Sequence, residues 1–403
     1  MTETTEESGL AIDVVSFAYA GSGTEASGGD KIFVEFAKRW ARENTVSVFT
    51  TRAGRVLCQN NNVHRARFIT IHVGEEHATS LLTILRKTIR GSIKVLRTPG
   101  FVSRPIVYSS SDFWPDVIPA LIIRRSTRGA KWVTGLYLFA PNPFRKKTDA
   151  DYRGRRARVT LRNVGYFFSQ RIIYEVAKRS ADFVLVANEL DKRNLVKDGY
   201  PASRVKPIYG GVDLDAIDRV PSQETSYDGC FVGRLHPQKG PLELIQIWKN
   251  VCRVRPDASL ALIGEGPLNT QVRASIKENG LDKNIKMMGW VDGERKYRIL
   301  KSSRIFLHTP VSDTGGMAAA EGMACGLPVV AFDLPGYQYA YPRGMIKIKT
   351  GDTIAFAKAV IDLLDSPEEY QRIRNDAISY SREWDWNVKA SEVLEDFKRI
   401  ANS

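Results

Sequence analysis

The chain has 403 residues, of which 43% are hydrophobic and 26% are charged, proportions that exclude a disordered or fibrous protein. This length is long for one compact core and suits two domains of about 150–200 residues each. The formal net charge is +14, and an excess of 13 positive charges lies in residues 1–200, so we expect a basic surface on the N-terminal half.

Targeting and redox signals point to the cytoplasm. The first residues, MTETTEESG, are acidic and polar, which is the reverse of the basic and then apolar order of a secretory signal. No run approaches about 18 apolar residues, so we expect no transmembrane helix. We predict a soluble cytoplasmic protein, peripheral on the inner face of the membrane, with four reduced and buried thiols: Cys58, Cys230, Cys252 and Cys325.

In the first half of the chain, β-rich apolar runs alternate with stretches of helical spacing. Strands are predicted at 10–17, 45–50, 67–73, 105–109, 131–134, 182–187 and 205–209, and helices at 29–43 and 169–180 among others. This alternation favours a parallel sheet covered by helices on both faces.

The second half repeats the same scheme. Strands are predicted at 228–233, 258–263, 284–288, 304–308 and 328–332, and helices at 240–254, 267–279, 293–302 and 316–325. The turn-rich stretch 213–226 is predicted to be an interdomain linker, and 352–402 reads as two or three helices with no strand after them. We therefore predict two doubly wound α/β domains.

The segment PVSDTGGMAAAEGMACGLPVVAF, residues 310–332, is the strongest candidate for a ligand site. A strand leads into Gly315-Gly316, and the N–H groups of the helix that follows can receive a phosphate. Asp313 and Glu321 are eight residues apart and could accept hydrogen bonds from sugar hydroxyls. Alternatively, Asp313 caps the helix and Glu321 is solvated; the spacing does not decide between the two.

Three further segments have a glycine turn at the start of a helix. In FVGRLHPQKGPLELI (231–245), Arg234 and Lys239 bracket the turn and could both reach a diphosphate, although basic residues are also common in surface turns. LIGEGPL (262–268) follows another strand. Gly28-Gly29 precedes the first helix of the chain and is by itself a weak signal.

Together these segments resemble the retaining glycosyltransferases of family four, which have the GT-B fold. The resemblance runs from about residue 10 to residue 365, and its C-terminal motifs are the more specific ones. The matching pieces are GGD with its helix (28–40), ANELDKRNLVKDGYP (187–201), GGVD (210–213), GRLHPQKG (233–240), GEGP (264–267), MGWV (288–291), the D-x7-E region (313–321) and the GMACGLPVVA that follows it.

The resemblance implies two Rossmann-like domains that face each other across a cleft. Residues 1–212 would form the acceptor-side domain, 213–226 the linker and 227–382 the nucleotide-sugar-binding domain. A C-terminal helix within 383–403 would return to the N-terminal domain.

It also implies roles for residues at matching positions. Arg234 and Lys239 would neutralise the diphosphate leaving group, Asp313 would contact the transferred sugar and Glu321 the ribose hydroxyls; these are the four predicted catalytic residues. Basic side chains and helix dipoles would replace a metal ion, so neither a metal nor a cofactor is expected. The predicted donor-binding residues are Gly28, Gly29, Gly233, Glu265, Val291, Gly315, Gly316 and Met317.

The chain departs from the family pattern at two places. The family usually has Glu where this chain has Asp313, one methylene shorter, which bears on sugar choice or on activity. Many members carry a histidine near the reaction site, but the corresponding segment KWVTGLYLFAPNPF (131–144) has none. We expect structural roles for the five histidines: His64, His72, His77, His236 and His308.

The basic excess is densest between residues 51 and 200, with 28 basic and 11 acidic side chains. Solvated helix faces and docking to anionic lipid both fit such runs; nucleic acid is the weaker interpretation because no binding module for it is visible, so no nucleic-acid partner is predicted. The predicted membrane-docking region spans 85–162, with the densest runs at 85–97, 122–131 and 144–162.

The sequence therefore predicts a metal-independent retaining glycosyltransferase. Its partners would be a nucleoside-diphosphate-sugar donor and a glycan or lipid-linked acceptor. The alternative is a catalytically degenerate homologue that binds a glycan or a partner protein, which Asp313 and the missing histidine motivate. Arg234, Lys239 and Glu321 argue against that alternative.

Overall fold

The protein is described here from a computed structural model, which covers residues 12–19, 28–74, 80–98, 104–140 and 161–402, apart from the side chains of 161–163. Strands and helices alternate through the N-terminal part. In chain order they are β1 (Asp13–Ala18), α1 (Gly28–Trp40), β2 (Thr45–Thr51), α2 (Arg52–Asn60), β3 (Arg67–Ile71), α3 (Leu81–Leu96), β4 (Ile106–Ser109), α4 (Trp114–Ser126), β5 (Lys131–Leu136), α5 (Leu161–Ser180), β6 (Phe183–Val186), α6 (Glu189–Lys197) and β7 (Val205–Pro207).

The second series begins after residue 213. Its elements are α7 (Leu214–Asp218), β8 (Tyr227–Val232), α8 (Pro241–Val254), β9 (Leu260–Ile263), α9 (Asn269–Glu278), β10 (Ile285–Gly289), α10 (Gly293–Lys301), β11 (Ser303–His308), α11 (Met317–Ala324), β12 (Val329–Asp333), α12 (Tyr337–Ala340), β13 (Met345–Lys349), α13 (Thr353–Asp365), α14 (Pro367–Ser381) and α15 (Trp386–Ala401).

The strands form two parallel sheets with the same winding. The seven-stranded sheet has the order β3-β2-β1-β4-β5-β6-β7 and the six-stranded sheet the order β10-β9-β8-β11-β12-β13. Every strand pair is parallel, and in each sheet the order reverses beside the first strand. The prediction of two doubly wound Rossmann-like domains is confirmed.

Apolar side chains cover both faces of each sheet, as buried parallel strands require. One face of the first sheet carries Phe33, Phe36 and Trp40 of α1, and the other carries Val117 and Ala120 of α4. The second sheet is covered in the same way by α8 and α13 on one face and by α10 and α11 on the other.

Helix α15 ends the chain against the N-terminal domain. Trp386 packs edge-on against Phe36 with ring centroids 5.9 Å apart, and the indole of Trp40 donates to the Ala390 carbonyl at 2.9 Å. Arg39 donates to the Asn387 side chain at 2.8 Å. The predicted return of the C-terminal helix is confirmed.

The stretch 213–226, which the sequence predicts to be a linker, contains α7. Leu214, Ile217 and Val220 belong to the same apolar cluster as Leu300 and Met323 of the C-terminal domain. The domain boundaries themselves stay a prediction.

Candidate functional site

The candidate site lies where the strand order of the second sheet reverses. β8 and β11 are hydrogen-bonded neighbours, and the helices that follow them leave the sheet on opposite faces. Ligands of doubly wound sheets bind in the crevice at this point, outside the carboxyl ends of the strands. Gly233 and Arg234 follow β8, and residues 309–316 follow β11.

The turn that carries Lys239 is fixed to the end of β11. Gly240 has a φ of 62°, and a Cβ atom there would lie 2.0 Å from the Thr309 carbonyl oxygen, so only glycine fits. The Thr309 hydroxyl donates to the carbonyl oxygens of Lys239 and Gly240, both at 3.1 Å. The close approach brings the Lys239 ammonium to the loop after β11.

Lys239 and Asp313 form an ion pair, with Nζ and Oδ2 2.6 Å apart. Burial alone would raise the pKa of Asp313, but the Lys239 ammonium holds it below its usual value. The other carboxylate oxygen accepts from the Thr314 N–H at 2.8 Å. Asp313 does not cap the helix that follows, because α11 begins after Gly316 with no side-chain cap.

His308 is a buried member of this cluster. Its Nε2 lies 2.7 Å from the Tyr337 hydroxyl and 4.0 Å from Asp313 Oδ2. Burial lowers the pKa of His308 to about 3, against the attraction of Asp313, so the ring is neutral. The sequence predicts only a structural role for this histidine and gives no signal of its place beside Asp313.

Tyr341 holds the glycine turn before α11, and Tyr337 lies close to it. The Tyr341 hydroxyl donates to the carbonyl oxygens of Gly315 and Gly316, at 3.0 and 2.7 Å. Gly316 has a φ of 62°, and a Cβ atom there would lie 3.0 Å from the Tyr337 hydroxyl. Because α11 has no side-chain cap, the N–H groups of Met317 and Ala318 at its start could receive a phosphate, as at other phosphate-binding helix starts.

Glu321 on α11 is paired rather than solvated. The Lys296 ammonium of α10 lies 2.9 Å from Glu321 Oε2 and 3.0 Å from Asp292 Oδ1. Burial disfavours the charge on Lys296, but Glu321 and Asp292 raise its pKa above the usual value. Since Lys296 is 25 residues away from Glu321 along the chain, the sequence gives no signal of this partnership.

Two predicted donor-binding residues, Glu265 and Val291, follow the next two strands, β9 and β10. A Cβ atom on Gly264 would lie 1.9 Å from the Gly233 carbonyl oxygen, so the turns after β8 and β9 touch. Glu265 accepts a hydrogen bond from the Asn269 side chain, and its carbonyl accepts from the Leu235 N–H at 2.9 Å. Val291 after β10 is buried. The structure thus brings Gly233, Glu265 and Val291 to one edge of the sheet.

The N-terminal domain meets this edge at the start of α11. A Cβ atom on Gly28 would lie 3.4 Å from Met317 Cε, and one on Gly210 would lie 2.6 Å from Met317 Cγ. The Asn188 amide donates to the Thr314 carbonyl at 2.9 Å. The start of α1 therefore faces the start of α11 across the cleft. The roles of Gly28 and Gly29 toward a donor stay predictions.

The opposite side of the cleft has buried carboxyl groups that the sequence did not single out. Asp112 follows β4 and accepts from the Gln170 amide at 2.6 Å, and burial raises its pKa to about 6. Asp116 accepts from the Tyr19 N–H at 2.6 Å, and burial raises its pKa to about 7. Neutral donors hold both groups.

The basic runs are only partly described. Residues 85–97 lie in α3 and directly after it, and 122–131 run from the last turn of α4 to the first residue of β5. Of the run 144–162, residues 144–160 and the side chains of 161 and 162 lie outside the described residues. Among the residues that the structure describes, no helix combines the length and apolar character needed to cross a bilayer.

Comparison with known proteins agrees with this geometry. Residues 215–380 match the family model described as glycosyl transferases group 1. This match covers less than half of the chain and shows a likeness to the family over these residues. The matched residues run from α7 to α14 and contain Arg234, Lys239, Asp313 and Glu321.

One curated relative is similar to this chain over part of its length. The phosphatidyl-myo-inositol mannosyltransferase of Mycobacterium leprae is 28% identical over 205 residues, which are 49% of this chain and 54% of that protein. The chain thus spans about half the length of this curated relative.

Solved structures extend the likeness to almost the whole chain. Anabaena HepE in complex with UDP-glucose has a TM-score of 0.68 and 16% identity, covering 96% of this chain and 100% of that one. Sucrose-phosphate synthase of Thermosynechococcus elongatus has a TM-score of 0.73 and 16% identity, covering 97% of this chain and 100% of that one. These likenesses show the GT-B fold.

Proposed function

We propose that this protein transfers a sugar, with retention of anomeric configuration and without a metal ion, from a nucleoside-diphosphate-sugar to a glycan or lipid-linked acceptor at the cytoplasmic face of a membrane. The observation that carries the proposal is the cation–carboxylate arrangement at the reversal point of the second sheet. Lys239 pairs with Asp313 at 2.6 Å there, and Arg234 follows the neighbouring strand.

The diphosphate is the group that these cations suit. The Lys239 ammonium has three N–H donors, so the bond to Asp313 leaves it able to bind a phosphate oxygen as well. Arg234 adds a planar fork that binds phosphate through two parallel hydrogen bonds. Together with the first N–H groups of α11, these donors would stabilise the negative charge that develops on the leaving diphosphate.

The sugar and the ribose would lie between the two carboxylates. Asp313 is held by Lys239 and by the Thr314 N–H, so its position is fixed before a donor arrives. Glu321 is held by Lys296 in the same way. Carboxylates that stay ionised accept hydrogen bonds from sugar hydroxyls, which supports Asp313 as the sugar contact and Glu321 as the ribose contact.

The segment 131–144, which contains β5 and the residues directly after it, has no histidine, whereas many members of the family that the sequence resembles have one there. The reaction therefore does not depend on a base there, because in a front-face transfer the leaving phosphate oxygen can itself take the proton of the acceptor hydroxyl. The acceptor would enter from the N-terminal domain, whose cleft edge has Asp112 and Asp116.

Two relatives support the choice of substrates. HepE of Anabaena has been solved with UDP-glucose, and the mycobacterial relative is named for a phosphatidylinositol acceptor. A nucleotide-sugar donor and a lipid-linked acceptor are consistent with both. The cytoplasmic location agrees with free thiols at Cys58, Cys230, Cys252 and Cys325.

Turnover of a panel of UDP- and GDP-sugars, with and without a chelator, tests the proposal. We expect one donor to be hydrolysed slowly without an acceptor, equally with and without the chelator, and the released sugar to keep its anomeric configuration by NMR. Absence of binding and turnover for every donor would contradict an enzyme and favour the degenerate homologue that binds a glycan or a partner protein.

A further inference from the structure

Helix α3 presents its largest apolar side chains to solvent. Along one side of this helix, residues at spacings of three and four form a continuous apolar stripe. Their exposed fractions are 78% for Leu81, 56% for Leu82, 47% for Leu85, 49% for Ile89, 43% for Ile93 and 70% for Leu96. These six make up much of the exposed large apolar surface of the described residues.

The side of α3 that faces the protein is built from smaller and more polar residues. Thr83, Thr88, Gly91 and Val95 are buried there. A Cβ atom on Gly91 would lie 3.0 Å from the Tyr19 ring and 3.3 Å from Pro119, so the helix backbone packs closely on α4. The usual arrangement of a surface helix, apolar toward the core and polar toward water, is thus reversed.

A basic stripe runs beside the apolar one. Arg86, Arg90, Lys94 and Arg97 are all exposed, each one residue after a member of the apolar stripe. Arg90 donates to the His72 carbonyl, and within the described residues no carboxylate pairs with Arg86, Lys94 or Arg97. Residues 81–97 include no acidic side chain. Basic and apolar stripes side by side are typical of helices that lie in the interface of an anionic membrane.

The position of α3 relates this surface to the cleft. A helix that follows a parallel strand begins at the carboxyl edge of its sheet, and α3 follows β3. Leu81 and Leu82, which are among the most exposed of the six, therefore lie toward the cleft edge of the N-terminal domain. A lipid surface in contact with them would lie on the acceptor side of the site.

We infer that α3 is the membrane-docking element of this protein, with its apolar stripe inserted among the acyl chains of an anionic lipid surface and its basic stripe at the headgroups. The inference rests on the proposed function, which places the acceptor at a membrane. It differs from docking through charge alone, because the apolar side chains of α3 carry the specificity for a bilayer.

The test compares two triple variants of the full chain. In one, Leu82, Ile89 and Ile93 of the stripe are replaced by Gln; in the matched control, three exposed apolar residues elsewhere, Val254, Ile354 and Val388, are replaced by Gln. Flotation measures binding to vesicles of phosphatidylcholine alone and of phosphatidylcholine mixed with phosphatidylglycerol. Circular dichroism checks that both variants fold.

We expect the wild type and the control to bind the anionic vesicles, and the stripe variant to bind them at least about tenfold more weakly. We also expect hydrogen exchange of residues 81–96 to slow when vesicles are added. Replacing Arg86 and Lys94 by Gln should weaken binding to the anionic vesicles by about tenfold as well.

Equal binding by the stripe variant and the control would overturn the inference, as would absence of wild-type binding to either vesicle. A dimer of the wild type in lipid-free buffer that the stripe variant loses would overturn it in favour of a second copy of the chain. Donor hydrolysis in the same buffer separates the two proposals: if the vesicle results hold and no donor is turned over, the docking stands and the proposed transferase activity fails.

Discussion

The N-terminal and C-terminal domains face each other across the cleft with sheets of the same winding. The carboxylates at the two cleft edges differ in their partners and in the direction of their pKa shifts. At the C-terminal edge, Asp313 and Asp292 are paired with lysines, and their pKa values are held below the usual range despite burial. At the N-terminal edge, Asp112 and Asp116 are held by neutral donors, and burial raises their pKa values to about 6 and about 7.

This difference separates two kinds of ligand. Lysines that are already partnered inside the fold keep the C-terminal edge charged, which under the proposed function suits a diphosphate and ribose hydroxyls. At the N-terminal edge the buried Lys87 offsets only part of the effect of burial on the pKa of Asp116. Under the proposed function, an edge whose carboxyl groups are held by neutral donors suits an uncharged hydroxyl acceptor. The predictions below alter one edge and leave the other as it is.

The largest effect is expected at Lys296. Replacing it by Met leaves Glu321 buried without a cation, which should lower the free energy of unfolding of the C-terminal domain by about 3–5 kcal/mol. Replacing Arg298 by Met on the same helix breaks only the exposed pair with Glu294 and should cost under about 1 kcal/mol. Denaturant unfolding of both variants measures the difference.

A double variant sharpens this result. When Lys296→Met is combined with Glu321→Gln, the uncompensated charge is gone, and part of the stability should return. Donor binding by this double variant should be weaker than that of the wild type, because Glu321 is the proposed ribose contact. Equal stability of Lys296→Met and Arg298→Met would contradict a buried ion pair between Lys296 and Glu321.

The second effect concerns catalysis. Lys239→Ala removes one of the cations that we place on the diphosphate and should lower kcat/KM for the donor by about 100-fold. Lys358→Ala removes an exposed lysine of α13 that pairs with Asp362 and should leave kcat/KM unchanged. Steady-state donor hydrolysis is the measurement, and a loss shared by both variants would contradict the assignment.

The third effect is the pH dependence of the unfolding free energy, which tests the buried carboxyl group of Asp116 at the N-terminal edge. The pKa of Asp116 is raised in the folded protein to about 7, so the folded state binds more protons than the unfolded state, and this contribution to stability is lost as the pH rises through 7. Asp116→Asn should flatten the fall in unfolding free energy between about pH 4 and pH 7, by up to about 1.4 kcal/mol per unit of pKa difference.

The exposed Asp257 provides the control for this measurement. Replacing it by Asn should leave the pH dependence as in the wild type. An Asp116→Asn curve with the same slope as the wild-type curve would contradict the assignment of Asp116.

The smallest effect concerns the glycine turn. Tyr341→Phe removes the hydroxyl that holds the Gly315 and Gly316 carbonyls and should raise the donor KM by about 3- to 10-fold, the worth of one hydrogen bond. Tyr370→Phe removes a similar hydrogen bond, to the Arg304 carbonyl, elsewhere in the domain. Tyr370→Phe should lower the free energy of unfolding by about as much as Tyr341→Phe does, and it should leave the donor KM unchanged.

The fold could be predicted from the sequence because it depends on local patterns. Apolar runs such as ASLALI and PVVAF mark buried strands, and glycine turns such as GEGP mark the strand ends. The same patterns placed Arg234, Lys239 and the 313–321 segment at strand ends. The winding rule then brings these strand ends to one edge.

The partners of the candidate site residues could not be predicted from the sequence, because they depend on contacts between distant parts of the chain. Lys296 meets Glu321 only after α10 and α11 pack on the same face of the sheet. The alternative that Asp313 caps a helix had to stay open, because the left-handed conformation of Gly316, where α11 starts, is not visible in the sequence. For α3, the spacing shows an amphipathic helix but not that its apolar side faces outward.

Binding of UDP and of GDP by titration calorimetry tests the central claim most directly, because it needs neither the sugar nor the acceptor to be known. The wild type and Arg372→Ala, which alters an exposed arginine of α14, should bind one of the two nucleotides with equal affinity. Arg234→Ala should bind it at least about tenfold more weakly. Equal affinities for all three proteins, or no binding of either nucleotide to the wild type, would contradict a diphosphate site at the reversal point of the second sheet.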